Sequence, residues 1–221
     1  MNSSAMRNAK PMLTMLRGTA SLLLAPLVLG ACSTMSAKEC GVLDWHSVGY
    51  EDGVAGLPGN HIARYREACG KYGVGTDLAA YQAGRESGLQ EYCQPANGFR
   101  VGARGDEYQG VCPAPVEREF LGAYESGHEL YTLEWRASNM ASQLAGKRHE
   151  HDRIEQDMVS NAAVIVSADS SVEDRAHALV EATQLAERKA RVEEEIGQLE
   201  QDQARSQRDL AGYRATLAAN R

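Results

Sequence analysis

Three hydrophobic patterns follow one another along the chain. The first is one apolar run, Leu22-Leu23-Leu24-Ala25-Pro26-Leu27-Val28, with Arg7, Lys10 and Arg17 on its N-terminal side. With the small and apolar residues flanking it (20–30) the stretch is about 11 residues long, against the roughly 20 a helix needs to cross a bilayer. From residue 44, glycines and aromatics take over at spacings of three and four: Trp45-x3-Gly49-x2-Asp52-Gly53-x2-Gly56, Tyr81-x2-Gly84-x3-Gly88-Leu89-x2-Tyr92-Cys93, Phe99-x2-Gly102-x2-Gly105-x2-Tyr108-x3-Cys112 and Phe120-x3-Tyr124-x2-Gly127. Residues so spaced share a helix face, and the four pieces form a loose internal repeat. Asp44 and Asp77 are natural N-caps. Pro58-Gly59, Gly73-Val74-Gly75 and Pro95-Ala96-Asn97-Gly98 read as turns. These signals predict helices near 44–55, 61–71, 77–92 and 115–160, and leave 98–110 unassigned.

The third pattern is a pair of heptad seams. One runs Leu130, Leu133, Ala137, Met140, Leu144, Lys147, His151, Ile154, Met158. The other runs Ala178, Ala182, Leu185, Lys189, Val192, Ile196, Leu199, Gln203, Ser206, Leu210, Tyr213, Leu217. Both have charged flanks, as coiled-coil helices do. The loop Ser167-Ala168-Asp169-Ser170-Ser171 separates them, and Ser170 with Glu173 reads as a capping box for the second helix. The fold expected is mainly α: a small Gly/Tyr-rich, disulfide-stabilised helical unit at 40–131, then a long antiparallel coiled-coil hairpin at 132–221 whose first helix starts near 115. Polar residues at Lys147, His151, Lys189, Gln203 and Ser206 interrupt the seams, which favours a role in register over a place for a partner helix.

The N-terminal run has the grammar of a secretory signal peptide: a basic segment, a short apolar stretch and small residues at its exit. It ends in Leu29-Gly30-Ala31-Cys32, which resembles the lipobox of bacterial lipoproteins. That resemblance implies removal of residues 1–31, a lipid on Cys32 (diacylglyceryl on the thiol, then an acyl group such as palmitate on the new amine), and a tether over 32–39. Two or more acyl chains make a stable anchor. Ser rather than Asp at position 33 implies the outer membrane, facing the periplasm. The segment from Met1 to the apolar run is long, so Met12 or Met15 is an alternative start.

Removing residues 1–31, with three bases and no acid, takes the net charge from −7 to −10. Nucleic acid is thereby excluded as an expected partner. Sixteen of the 21 glycines lie between Gly41 and Gly127, and eight of the nine tyrosines between Tyr50 and Tyr131. Since glycine weakens a helix by about 1 kcal/mol relative to Ala, this concentration implies close approach of backbones or rings. Cys40, Cys69, Cys93 and Cys112 remain once Cys32 is set aside, which predicts two disulfides in an oxidising compartment. Three pairings are open. Cys40–Cys69 with Cys93–Cys112 is favoured because it closes the loops of about 30 and 20 residues, each bridge adding roughly 2–4 kcal/mol.

Catalytic grammar is missing. His149-Glu150-His151-Asp152 lacks the i,i+4 histidines of a metal-binding helix, so it reads as a solvated face, and no metal or cofactor is expected. Asp44, Glu51, Asp52, Asp77 and Glu86 are candidate paired carboxylates, but nothing in their spacing brings two together.

One family resemblance emerges from the motifs themselves. The series Asp44-Trp45, Gly49, Asp52-Gly53, Cys69, Asp77, Tyr81, Gly84, Gly88-Leu89, Tyr92-Cys93, Gly98, Gly102, Gly105, Tyr108, Cys112-Pro113, Glu117, Phe120, Tyr124 and Gly127 resembles the bacterial lipoproteins grouped as domain of unknown function 2799. The resemblance covers about residues 40–131. It implies an envelope location and supplies no catalytic residue.

Two function classes stay open at this level. The leading one is an envelope lipoprotein with a structural or adaptor role and no enzymatic activity, engaging a protein partner through the C-terminal hairpin. The alternative is a binding module in which Trp45, Tyr81, Tyr92, Tyr108 and Tyr124 line a groove for a glycan strand or small ligand. An envelope hydrolase is the least supported reading.

Overall fold

The computed structural model describes residues 35–219, and from Ser36 onward the chain is one compact unit. Every regular element among the described residues is helical. Cys32 and the expected signal segment lie outside them.

Local chemistry explains most helix starts. Ser36 and Glu39 form a reciprocal capping box that opens α1 (Ala37–Val42). The first described helix thus begins inside the expected 32–39 tether. Asp44 accepts from the backbone N–H groups of His46 and Ser47 and opens α2 (Trp45–Val54). A 3₁₀ turn (Gly59–His61) leads into α3 (Ile62–Gly70). Asp77 accepts from the Ala80 N–H and opens α4 (Leu78–Tyr92). Proline near the first turn starts both α5 (Pro95–Ala103) and α6 (Ala114–Val166). The helix α7 (Val172–Ala219) completes the chain.

The glycine faces bring helices together in pairs. In the first pair, Gly49 and Gly53 of α2 face Tyr81, Arg85 and Gly88 of α4, while Gly84 and Gly88 face His46, Tyr50 and Val54 of α2. A Cβ on any of the four would lie closer to facing backbone atoms than real Cβ atoms come. In the second pair, Gly98 and Gly102 of α5 meet the Phe120 and Tyr124 carbonyls of α6, and Gly127 of α6 meets the Phe99 carbonyl.

The two pairs are copies of one design. Gly49, Gly53 and Gly56 recur 49 residues later as Gly98, Gly102 and Gly105. Each series ends its helix in a Schellman motif. Leu57 N–H donates to the Asp52 carbonyl (2.9 Å) and Gly56 N–H to Gly53 (3.0 Å). Asp106 N–H donates to Val101 (3.2 Å) and Gly105 N–H to Gly102 (2.8 Å). Gly56 and Gly105 take φ of 70° and 74°, where a side chain is strained. The rings of Tyr92 and Tyr131 fill the place a Cβ would need. The four sequence pieces are therefore two helix pairs, and the unassigned 98–110 segment holds the end of α5 and its cap.

The disulfides join Cys40 of α1 to Cys69 of α3, and Cys93 at the end of α4 to Cys112 just before α6. The second lies in a core with Leu89, Tyr92, Val101 and Phe120.

Helix α6 runs unbroken from the glycine-rich unit into the hairpin. Its 53 residues make it roughly 80 Å long at 1.5 Å per residue. The helix α7 returns antiparallel along it. Tyr213 Oη donates to the Ser126 carbonyl (2.8 Å), Arg214 pairs with Glu134 (2.7 Å), Arg148 with Glu200 (2.7 Å) and Arg188 with Glu150 (2.7 Å). Near the bend, Asn161 Nδ2 donates to the Ala178 carbonyl (2.7 Å). Leu133, Leu144, Ile154, Ala178, Leu185 and Val192 are buried between the arms. Three of the five polar seam positions pair across the hairpin: Lys147 with Glu195, Lys189 with Glu155 (2.6 Å) and His151 Nε2 with Glu193 (3.2 Å). The Ser206 hydroxyl is buried with no hydrogen-bond partner. The capping box of α7 lies one residue beyond the expected Ser170–Glu173 pair. The helix begins at Val172, so Ser171 is the cap, and it exchanges hydrogen bonds with Asp174.

Candidate functional site

The most constructed polar cluster in the glycine-rich unit centres on Asp52. Its helix position, between Gly49 and Gly53 on the face against α4, forces the carboxylate inward, and it is 5% exposed. Oδ2 accepts from Tyr81 Oη on α4 (2.7 Å) and Oδ1 from Tyr65 Oη on α3 (3.0 Å). Trp45 and His61 set their rings edge-on to Tyr65, at centroid distances of 6.2 and 5.6 Å. The Arg85 guanidinium turns away to the Leu57 carbonyl (3.1 and 2.9 Å). One carboxylate thus ties three helices together through two phenols.

That arrangement fixes the phenols as hydrogen-bond donors. Burial, and then the Asp52 carboxylate, push Tyr65 up to about 12. The same two causes raise Tyr81. Because the folded values lie above the unfolded value near 10, this stabilisation is complete below about pH 10 and falls as pH rises through the folded values. Urea midpoints are therefore expected to hold steady up to about pH 10 and drop beyond it. Tyr65→Phe should flatten the drop; an unchanged alkaline slope in that variant would remove Tyr65 as its source.

The five rings expected to line a groove fall into two groups and do not share one surface. Trp45 and Tyr81 are buried in the Asp52 cluster, Tyr81 completely. Tyr92 is buried against Phe120 at 5.3 Å, Phe120 meets Tyr108 at 4.9 Å, and Tyr108 meets Tyr124 at 6.1 Å. Tyr108 and Tyr124 are half-buried, and their hydroxyls are used internally. Tyr108 Oη donates to Glu117 (3.0 Å) and accepts from the Cys112 N–H (2.8 Å), while Tyr124 Oη donates to the Asp106 carbonyl (3.0 Å). With backbones touching at the glycines, rings fill the space beside the contacts. Spacing marks the shared face; it does not reveal that the face is occupied by protein.

The candidate carboxylates also separate. Asp44 and Asp77 cap helices, Glu51 and Glu86 are exposed, and Asp52 is held by tyrosines. On the hairpin, His151 stands with Asp152, Glu155 and Glu193: Nδ1 is 3.8 Å from Asp152, and Nε2 is 3.8 Å from Glu155 and 3.2 Å from Glu193. The ligand types suit a cation, and an ammonium already serves. Lys189 Nζ is 2.6 Å from Glu155 and 3.8 Å from Glu193. Its hydrogen bond holds the Glu155 carboxyl below the usual carboxylate range. The group is an ion-pair network across the seam.

An exposed apolar surface lies at the end of the hairpin. Val166 and Val172, on either side of the bend, are 82% and 84% exposed, and Val159, Leu179 and Val180 are exposed behind them. In the sequence this end is marked by the run Val164-Ile165-Val166, while the exposed valines and leucine of α7 are hidden by the heptad pattern beside them.

Comparison with known proteins bears on the glycine-rich half. Residues 44–129 match the model of a family described as a protein of unknown function, DUF2799. This segment is similar to that family. It begins at the cap of α2 and ends just past Gly127, so it contains both glycine-faced helix pairs and leaves out most of the hairpin. No curated protein and no solved structure matches the chain.

Proposed function

We propose that the protein is a cell-envelope lipoprotein acting as a non-enzymatic spacer and adaptor. In this reading Cys32 carries the lipid, and four residues separate it from α1. The anchor holds the glycine-rich unit at the periplasmic face of the outer membrane. The hairpin then extends roughly 60 Å past Gly127, at 1.5 Å per residue, toward a protein partner. The observation that carries the adaptor part is the exposed apolar end of the hairpin, since contiguous apolar surface on a soluble face marks an interaction site. The lipobox residues carry the envelope part.

The test is made in envelopes of cells producing the chain. Mass spectrometry should find an N-terminal Cys32 carrying diacylglyceryl and acyl groups. A photo-crosslinker at position 172 should give a discrete protein adduct, and one at the exposed position 205 should not. An unmodified Cys32 overturns the anchor, and absence of an adduct overturns the adaptor role.

A further inference from the structure

The exposed apolar residues at the bend form a second seam, displaced by one position from the seam that holds the hairpin together. On α7 the inward series includes Ala178, Leu185 and Val192. One residue on from such inward positions lies a parallel series, Val172, Ala176, Leu179, Thr183 and Ala186, spaced four, three, four and three, all exposed. On α6 the same displacement gives Val159, Ala162 and Val166, also exposed. Residues at this spacing form a continuous stripe on a helix.

The two stripes face the same way. Along the hairpin, Arg148 follows the seam residue Lys147 by one, Glu200 follows Leu199 by one, and these two side chains meet at 2.7 Å. Glu155 follows Ile154 by one and reaches Lys189, and Glu193 follows Val192 by one and reaches His151. Positions one after the seam on both arms therefore share one side. The stripes lie on that side, nearer the bend, and form a shallow apolar track; its α7 stripe runs about four turns, or roughly 21 Å, and its α6 stripe about two turns. The opposite side near the bend is mainly polar, with Ser160, Asp174, His177 and Glu181 around a single exposed valine, Val164. A two-helix face of this kind fits a third helix with anchors at i, i+3, i+4 and i+7.

Charge decides which helix. Residues 152–189 contain eight acids and four bases, a net charge of −4. Glu173 and Glu187 border the track, and neither has an ion-pair partner among the described residues. A second copy of the hairpin would set −4 against −4, and like charges flanking a seam select against pairing. An anionic bilayer surface is repelled in the same way. We infer that the track receives an amphipathic helix of a partner protein whose apolar stripe is flanked by lysine or arginine, completing a three-helix bundle at the end of the hairpin. This inference rests on the adaptor reading and names the partner's chemistry.

The test uses the full chain carrying Cys32→Ser, so it is independent of the lipid, and a designed probe: a leucine-heptad peptide with lysine flanks. A peptide with glutamate flanks is the control. The lysine peptide should bind, more weakly as salt rises because screening acts on exposed charges. Val159→Ser with Leu179→Ser should weaken binding by about tenfold or more, with helicity by circular dichroism unchanged. Leu121→Ser, in the glycine-rich unit, should leave binding as it was. Equal binding of the glutamate peptide, or no binding of either, overturns the inference. So does wild-type self-association by sedimentation that the double variant abolishes, which would assign the track to a second copy. Lipidation at Cys32 stands or falls separately, by mass spectrometry.

Discussion

Gly84→Val is expected to cost at least about 3 kcal/mol, the upper end of what overpacking a closed interface does. The reason lies in what Gly84 faces. A Cβ there would press on the His46 carbonyl carbon and oxygen and the Tyr50 backbone N of α2, groups that have no rotamer to escape into. The helices would have to part, and parting them would open the Asp52–Tyr81 hydrogen bond between the same two helices. A loss of that size is a large share of a domain's usual 5–15 kcal/mol. Urea denaturation followed by circular dichroism measures it. Gly122→Ala on α6 is the internal contrast: nothing lies within 4 Å of its Cβ position, so the higher helix propensity of alanine should stabilise by up to about 1 kcal/mol. Opposite signs at two helical glycines would establish that close approach explains the composition. A near-neutral Gly84→Val would show that α2 and α4 do not touch there.

Reducing the disulfides is the second large effect. Each bridge closes a loop in the unfolded chain, over sequence separations of 29 and 19 residues, and each is expected to contribute about 3 kcal/mol. The bridges do different things locally. Cys93 and Cys112 are buried in the core around Phe120, so that core retains apolar packing after reduction. Cys69 lies in the last turn of α3, which is tied to α2 by the Tyr65–Asp52 hydrogen bond and, through Asp52, to Tyr81 of α4. Under dithiothreitol the urea midpoint should fall, and limited proteolysis should cut first between Ala37 and Gly75. A first cut within the hairpin arms would assign the weak point elsewhere.

The sequence disclosed the parts of this fold that depend on spacing. Asp44 and Asp77 were readable as caps because a carboxylate before a helix has one geometric use there. The hairpin was readable because Leu133, Leu144, Ile154, Leu185 and Val192 repeat at the period of a buried stripe. Local signals failed where tertiary contact decided the outcome. Pro95–Ala103 carries two glycines in nine residues, poor helix material alone, and α5 exists because Gly98 and Gly102 meet the carbonyls of α6. Trp45, Tyr81 and Tyr92 have the composition of a ligand groove, and only the facing helices reveal them as interior. The second seam on α7 was hidden because Val172, Leu179 and Ala186 lie one position from a stronger repeat, and exposure distinguishes the two.

The continuity of α6 has a mechanical meaning. Helix α6 is unbroken between Gly127, packed against Phe99, and Val166 at the far end; the same helix is the floor of the glycine-rich unit and one arm of the hairpin. With about 60 Å of lever beyond the last glycine contact, a rotation of roughly 5° at that contact sweeps the far end by roughly 5 Å. A load applied at the tip is returned to the base as torque on the α5–α6 glycine interface, so the interface that tolerates no side chain is also the fulcrum.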